Sequence, residues 1–133
     1  CEYLGNTPTA RRSSLAPGVH GLSNGDLDEP WPKVVALRER LRGWIASGGE
    51  DPAPLWDALA DEPPADDAAL PDTGVGIDLE RMLSPAFIRG RDYGTRASTL
   101  IAIDHEGVGW ISERRFGSEG AFEGERTLRI APV

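Results

Sequence analysis

The run Ser98-Thr99-Leu100-Ile101-Ala102-Ile103 constrains this chain more than any other stretch. It is short, rich in β-branched residues and apolar without a polar alternation. Such a run predicts a strand buried on both faces, not one face against water. Asp104-His105-Glu106-Gly107 follows as a tight turn, with Gly107 free to take a positive φ. Val108 to Arg115 then returns as the partner strand. The polar cluster Tyr93-Gly94-Thr95-Arg96 leads into the first strand, and Ser112-Glu113-Arg114 lies near the end of the second. A rigid sheet holds such side chains at set distances, so these strand ends are candidate site positions.

The clearest helix lies upstream. Val34, Leu37, Leu41, Trp44 and Ile45 recur at helical spacing, Pro32 suits a first turn and Gly48-Gly49 ends it. Asp28 and Glu29 stand where acidic residues favour a helix N-terminus. A second, shorter helix is predicted from Asp51-Pro52, with Leu55, Trp56 and Leu59 as its apolar contacts. Asp78 to Leu83 reads as one or two further helical turns capped by Asp78. Glu2-Tyr3-Leu4 and Val19 to Leu22 read as short strands, and Thr7 to Ala16 as a polar loop. Residues 61–72, rich in Pro, Asp and Ala, read as a mobile surface loop. Gly117 to Gly124 is a glycine-rich connection to an edge strand at Thr127 to Ile130, before Pro132. The fold class is α+β.

Charge narrows the partners. With 22 acidic and 14 basic residues the net charge is -8, which argues against nucleic acid and against anionic membrane surfaces. No run is long or apolar enough for membrane insertion as a helix. The single cysteine, Cys1, excludes an intrachain disulfide and any CxxC metal spacing, so no metal site is expected. These features point to a cytoplasmic protein with a small-molecule ligand.

Four blocks fall in a specific order. Pro17-Gly18-Val19-His20-Gly21-Leu22-Ser23-Asn24 leads into Leu27-Asp28-Glu29-Pro30-Trp31-Pro32-Lys33. Leu70-Pro71-Asp72-Thr73-Gly74-Val75 precedes Glu80-Arg81-Met82-Leu83-Ser84 and Phe87-Ile88. Tyr93-Gly94-Thr95-Arg96 with Ser98-Thr99, and then Ser112-Glu113-Arg114, complete the set. In this order they resemble the NRDE family, also called the transport and Golgi organisation protein 2 family, over nearly all of the chain except about residues 46–69. Family members begin with Met-Cys and carry an Asn-Arg-Asp-Glu tetrapeptide soon after, and neither is present here. The resemblance therefore implies that residues 1–133 are the C-terminal portion of a single longer domain, whose N-terminal half is a partner. It also implies part of a four-layer αββα sandwich of antiparallel sheets, similar to N-terminal nucleophile hydrolases.

What the family implies about function has two forms. One is a cytosolic binding or trafficking protein for a small ligand, haem or acyl-lipid. The other is an N-terminal-cysteine hydrolase of linear amides or thioesters, whose nucleophile lies in the other half, so that this span alone is inactive. Asn24 is the oxyanion candidate, because a neutral amide donor at a strand end suits developing negative charge; its plainer role is a turn residue in Asn24-Gly25. Arg96, with Thr95 and Thr99, has the forked donors for a carboxylate or phosphate, or it pairs with Glu113 across the hairpin. Trp31 with its flanking prolines walls an apolar pocket or packs a helix entrance. Lys33 is a ligand contact or a solvated charge. Ser23, Tyr93 and Arg114 complete the candidate ligand-binding set. Haem is the one cofactor-like ligand the family brings in, and His20, His105, Cys1 and Met82 are the residues able to ligate its iron. No haem attachment motif accompanies them. An N-terminal cysteine can act as nucleophile with its own amine as base, but the family's nucleophile precedes the tetrapeptide, so Cys1 is read as an ordinary cysteine.

Overall fold

The computed structural model describes residues 1–6 and 9–132. Thr7 and Pro8, within the predicted polar loop, lie outside them. Strands β1 (Glu2–Gly5) and β2 (Arg11–Ser14) form an antiparallel pair. Helices α1 (Pro32–Ala46), α2 (Ala53–Leu59) and α3 (Ile77–Leu83) follow, with a 3₁₀ turn at Asp67–Ala69 between the last two. Strands β3 (Ala97–Ile103), β4 (Gly109–Phe116) and β5 (Phe122–Ile130) make a second antiparallel sheet in the order β3-β4-β5. The α+β expectation holds, with antiparallel pairing throughout.

The hairpin predicted at Asp104 forms. Gly107 takes φ 80°, Asp104 N–H donates to Val108 O at 2.9 Å, and the Asp104 carboxylate accepts from Glu106 and Val108 N–H. One expectation is met on one face only. Ser98, Leu100 and Ala102 turn to the covered face, whereas Ile101 and Ile103 are 59 % and 58 % exposed on the other. Successive strand residues point to opposite faces, so one covering layer shelters only every second side chain. That layer is α2 and the segment after α3. The Arg114 guanidinium lies 4.3 Å over the Trp56 ring, and Phe87 meets Phe116 edge-on at 4.8 Å.

Helix α1 begins at Pro32, as predicted, and ends where Gly48 and Gly49 take φ 105° and 66°, a left-handed exit that side chains disfavour. Val34 is buried and Leu37, Leu41 and Trp44 are half-buried on one stripe, while Ile45 is exposed. The Trp44 indole N–H donates to Asp51 O and ties the end of α1 to the start of α2. Pro52, not Asp51, stands at the N-cap of α2; Asp51 precedes it and accepts from Ala53 N–H at 2.9 Å. Asp78 does not cap α3: Gly76 stands at that position, and Asp78 pairs with Arg81 one turn on. Residues 61–65 are joined to the rest by Phe87 N–H to Asp61 O, the Arg89–Glu62 ion pair and Ala65 N–H to Ser84 Oγ.

Three further expectations are corrected. Val19 to Leu22 is not a strand; its backbone is drawn into a closed loop with Asp28, so it has no ladder to join. Part of the predicted polar loop is strand β2, held on β1 by backbone pairing and by Arg12–Glu2. Strand β5 starts at Phe122, well before Thr127, because a bulge at Arg115/Phe116 and Gly124 at φ 135° let the glycine-rich connection keep pairing.

The core is thin. Among the described residues, Val34, Trp56, Ala58 and Phe87 are its buried apolar residues, and no large side chain falls below 2 % exposure.

Candidate ligand-binding site

The segment from Ala16 to Trp31 is organised by one carboxylate. Asp28 has φ 61°, a left-handed conformation that aspartate tolerates better than most residues. This bend brings its N–H to Gly21 O at 2.7 Å and its carboxylate to Gly21 N–H at 2.8 Å. The other carboxylate oxygen lies 2.7 Å from His20 Nδ1, and an Arg38 nitrogen of α1 lies 3.2 Å from the first. His20 Nε2 in turn sits 3.0 Å from Ala16 O. Both ring nitrogens thus face acceptors, which only the imidazolium can satisfy at once. The bond to Asp28, then that to the Ala16 carbonyl, holds the His20 pKa above its ordinary range. The same bond to His20, then the Gly21 N–H, holds Asp28 below its own.

Gly21 lets this loop touch α1. A Cβ at this position would stand 2.5 Å from Val34 Cγ1 and 2.9 Å from Arg38 Cδ. Beside it opens a cavity of about 260 Å³. Leu22, Val34, Leu37 and Leu41 supply its apolar wall; His20, Ser23, Lys33 and Arg38 supply polar groups. Lys33 Nζ donates to Leu83 O at 2.8 Å. Burial lowers the Lys33 pKa, and the charge of Glu80 works against that. Two buried donors nearby, Trp31 Nε1 and Arg38 Nε, find no acceptor among the described residues. A smaller cleft of about 190 Å³ lies between α1, α2 and residues 84–86, also reached by Lys33 and Leu37.

The predicted site residues separate into groups. Ser23 and Lys33 line the larger cavity, whereas Trp31 lines neither cavity and lies with its ring 6.0 Å from Lys33 Nζ. Asn24 is exposed in the loop, not at a strand end, because no strand forms there. Thr95 is a brace: its hydroxyl accepts from Ile88 N–H at 2.9 Å and its own N–H donates to Ile88 O at 2.8 Å. Tyr93 is 62 % exposed. Arg96 does not pair with Glu113; it donates to Arg91 O at 3.3 Å. Thr99 and Glu113 face each other at 3.4 Å on the open face of the β3-β4-β5 sheet. Arg114, next along β4, points to the opposite face, where it pairs with Glu125 at 2.8 Å. That bond holds the Glu125 pKa below its ordinary value.

The Asp28–His20–Arg38 cluster has no signature in the sequence. In sequence Asp28 reads as a helix-start charge and His20 as a lone histidine, and only a loop closed by a positive φ brings them together.

A family model described as "Transport and Golgi organisation 2" matches residues 1–118. The chain belongs to this family. The bovine Transport and Golgi organization protein 2 homolog is 33 % identical over 123 residues, covering 84 % of this chain and 44 % of that relative. The human homologue of the same name is 32 % identical over 124 residues, with the same shares. The chain thus spans less than half the length of the curated relatives it matches. The matched residues carry the whole cavity loop, all three helices and all of β4, while β5 lies beyond them.

Haem does not fit the family residues present. His20 has both ring nitrogens engaged, His105 is exposed in the hairpin turn, and Cys1 and Met82 are exposed as well. None of these four is a buried, unengaged axial ligand. Among the described residues no group of His, Cys, Asp and Glu is placed to hold a metal ion, and no helix is long and apolar enough to cross a membrane.

Proposed function

We propose that this span is one part of a larger αββα sandwich and that it contributes a binding site for a small ligand with an apolar tail and an anionic group. The cavity beside Gly21 is the observation that carries the reading. Its wall is aliphatic, and the polar groups that reach it are Lys33, Arg38 and His20, the last two paired with Asp28. In a chain of net charge -8, such a local surplus of donors suits a carboxylate or thioester head with an acyl chain. The unpaired Trp31 and Arg38 donors point the same way, since a buried donor without an acceptor costs about 1–3 kcal/mol. An acyl-lipid suits this site better than haem.

The test is saturable binding of a fluorescent fatty acid by the 133-residue chain. Lys33→Ala and Leu37→Asp are expected to weaken it at least several-fold, with Tyr93→Ala as a neutral control. Equal affinity in all three variants overturns the site.

A second reading keeps the hydrolase role. Asn24 follows Ser23, which lines the cavity, and is itself exposed with no side-chain hydrogen bond among the described residues. It is therefore free to donate to an oxyanion once a nucleophile from the rest of the domain is present. Turnover of an amide or thioester by a protein of the relatives' length, lost in Asn24→Ala with unchanged substrate binding, supports this reading. No turnover of any acyl substrate removes it.

A further inference from the structure

Lys33 is the only lysine among the 14 basic residues of the chain. It is the second residue of α1, at the positive end of the helix dipole, where a cation is disfavoured. The side chain is half-buried, and its Nζ donates to Leu83 O at 2.8 Å. That carbonyl is its one hydrogen-bond acceptor among the described residues, and no carboxylate there lies within ion-pair distance. The Trp31 ring, 6.0 Å away, is at the outer limit of a cation–π contact. Glu80 favours the charged form from a distance, but it is buried and its carboxylate is engaged by Thr73 N–H at 2.8 Å. An ammonium has three protons to place, whereas a free amine has two and a lone pair. These surroundings serve the free amine better, with one N–H on Leu83 O and the lone pair open. An arginine here, permanently charged, offers no such nucleophile.

The cleft of about 190 Å³ between α1, α2 and residues 84–86 shows what the amine can meet. Asp57 of α2 and Asp61 just beyond it line this cleft with Lys33 and Arg40. Neither of these carboxylates makes a side-chain hydrogen bond among the described residues. Two acidic and two basic groups leave no surplus of charge, unlike the donor-rich cavity that Lys33 also lines. A neutral ligand suits the cleft, and Ala36, Leu37 and Ala58 give it an aliphatic wall. At roughly 30 Å³ for a water-sized group, the space holds about six non-hydrogen atoms. A desolvated lysine amine is the side chain that condenses with carbonyl compounds.

We propose that Lys33 forms an imine with short, neutral aliphatic aldehydes held in the cleft between α1 and α2, with Asp57 and Asp61 as proton carriers. The amine lone pair attacks the aldehyde carbon, a C–N bond forms and the carbonyl π pair passes to oxygen. A proton moves from nitrogen through a carboxylate to that oxygen, which gives a carbinolamine. The second nitrogen proton follows the same route as the hydroxyl leaves as water and the nitrogen lone pair closes C=N. One imine and one water result, with no oxidant or reductant. Leu83 O orients the amine for the first step. The proposal goes beyond the ligand reading above and does not depend on it, because the aldehyde occupies the cleft and not the cavity beside Gly21.

Reductive trapping tests this, with an internal reference. Arg42 is exposed on α1, so Arg42→Lys adds an ordinary surface lysine to the same chain. The variant is treated with pentanal and cyanoborohydride, and peptide mass mapping reads the pentyl group at positions 33 and 42. Lys33 is expected to be labelled at least about tenfold faster, since a positioned proton carrier contributes roughly 100-fold or more. Equal or slower labelling at Lys33 overturns the proposal. Asp57 and Asp61 are exposed, so Asp57→Asn with Asp61→Asn is expected to keep the urea midpoint and to remove most of the advantage. Undiminished labelling in that variant overturns the carboxylates' role. Ala36→Phe fills the cleft and is expected to slow position 33 several-fold while leaving position 42 unchanged; equal slowing at both sites, or at neither, counts against the cleft. Glyoxylate supplies an anionic comparator, and a preference for it at Lys33 overturns the neutral substrate class. Trapping at the surface rate with fatty-acid binding intact overturns this proposal alone, and fast trapping without fatty-acid binding overturns only the ligand reading.

Discussion

Phe87→Ala is the most demanding test of how this chain is held together. Phe87 is 4 % exposed and lies edge-on to Phe116 at 4.8 Å, with the Arg89 guanidinium 5.8 Å from its ring. It joins the segment after α3 to the sheet, and few other buried residues do so. Truncating a buried phenylalanine costs about 3–5 kcal/mol, of which an edge-on aromatic pair supplies roughly 0.5–1.5. A chain of this length at the low end of the usual range has only about 7 kcal/mol in all. The loss is thus near half or more of the total. Phe122 gives the control: its ring is 6.1 Å from Phe116, yet it is 62 % exposed. Phe122→Ala is expected to cost less than about 1 kcal/mol, because most of its surface is already in water. Urea unfolding followed by tryptophan fluorescence separates the two, with Trp56 a nearby reporter of the same layer. If Phe87→Ala costs no more than Phe122→Ala, the claim that Phe87 fastens helix layer to sheet is wrong.

Three other outcomes follow from the loop and its braces. Gly21→Ala forces a Cβ to within 2.5 Å of Val34 Cγ1, so a loss of about 1–3 kcal/mol and weaker fatty-acid binding are expected together; an unchanged melting curve contradicts the close approach. Thr95→Val leaves Ile88 N–H without its side-chain acceptor and is expected to cost about 1–3 kcal/mol, whereas Thr95→Ser restores most of it; chemical denaturation of both variants checks this. The Asp28–His20 clamp is pH-dependent. His20 is raised above 6.5, so its contribution is present below that value and fades as pH rises through the folded-state value. Asp28 is lowered below 3.8, so its contribution is present above 3.8 and fades only as pH falls through its lower folded value. The clamp is therefore complete between pH 3.8 and 6.5 and loosens as pH rises through the raised His20 value. Imidazole proton resonances should titrate at a lower pH in Asp28→Asn, and an unmoved midpoint refutes the pairing.

Much of the architecture was legible in the sequence because local chemistry specifies it. Pro32 and Gly48-Gly49 bound α1, Asp51 accepts from Ala53 N–H just ahead of α2, and the Asp104–Gly107 turn pairs β3 with β4, all through residues within a few positions of one another. The family blocks also identified the relationship that the family match confirms. The site was less legible. Glu113 and Arg114 look like one polar pair in sequence, yet strand alternation sends them to opposite faces of the sheet. Arg96 and Glu113 look complementary across the hairpin, but Arg96 precedes the ladder and turns to the Arg91 carbonyl. Thr95 carries a hydroxyl suited to a ligand and uses it on Ile88.

Sequence by itself determined the α+β class, the family, the long helix and the β3-β4 hairpin, because each depends on short-range rules of turn, cap and period. Tertiary structure alone decided that Val19 to Leu22 closes as a loop on Asp28, that His20 and Arg38 meet there, and that Ile101 and Ile103 lie open while Ser98 and Leu100 are covered. Those outcomes depend on which distant segments come together, and a carboxylate finds its histidine, or a strand its covering layer, only once the chain has folded back on itself.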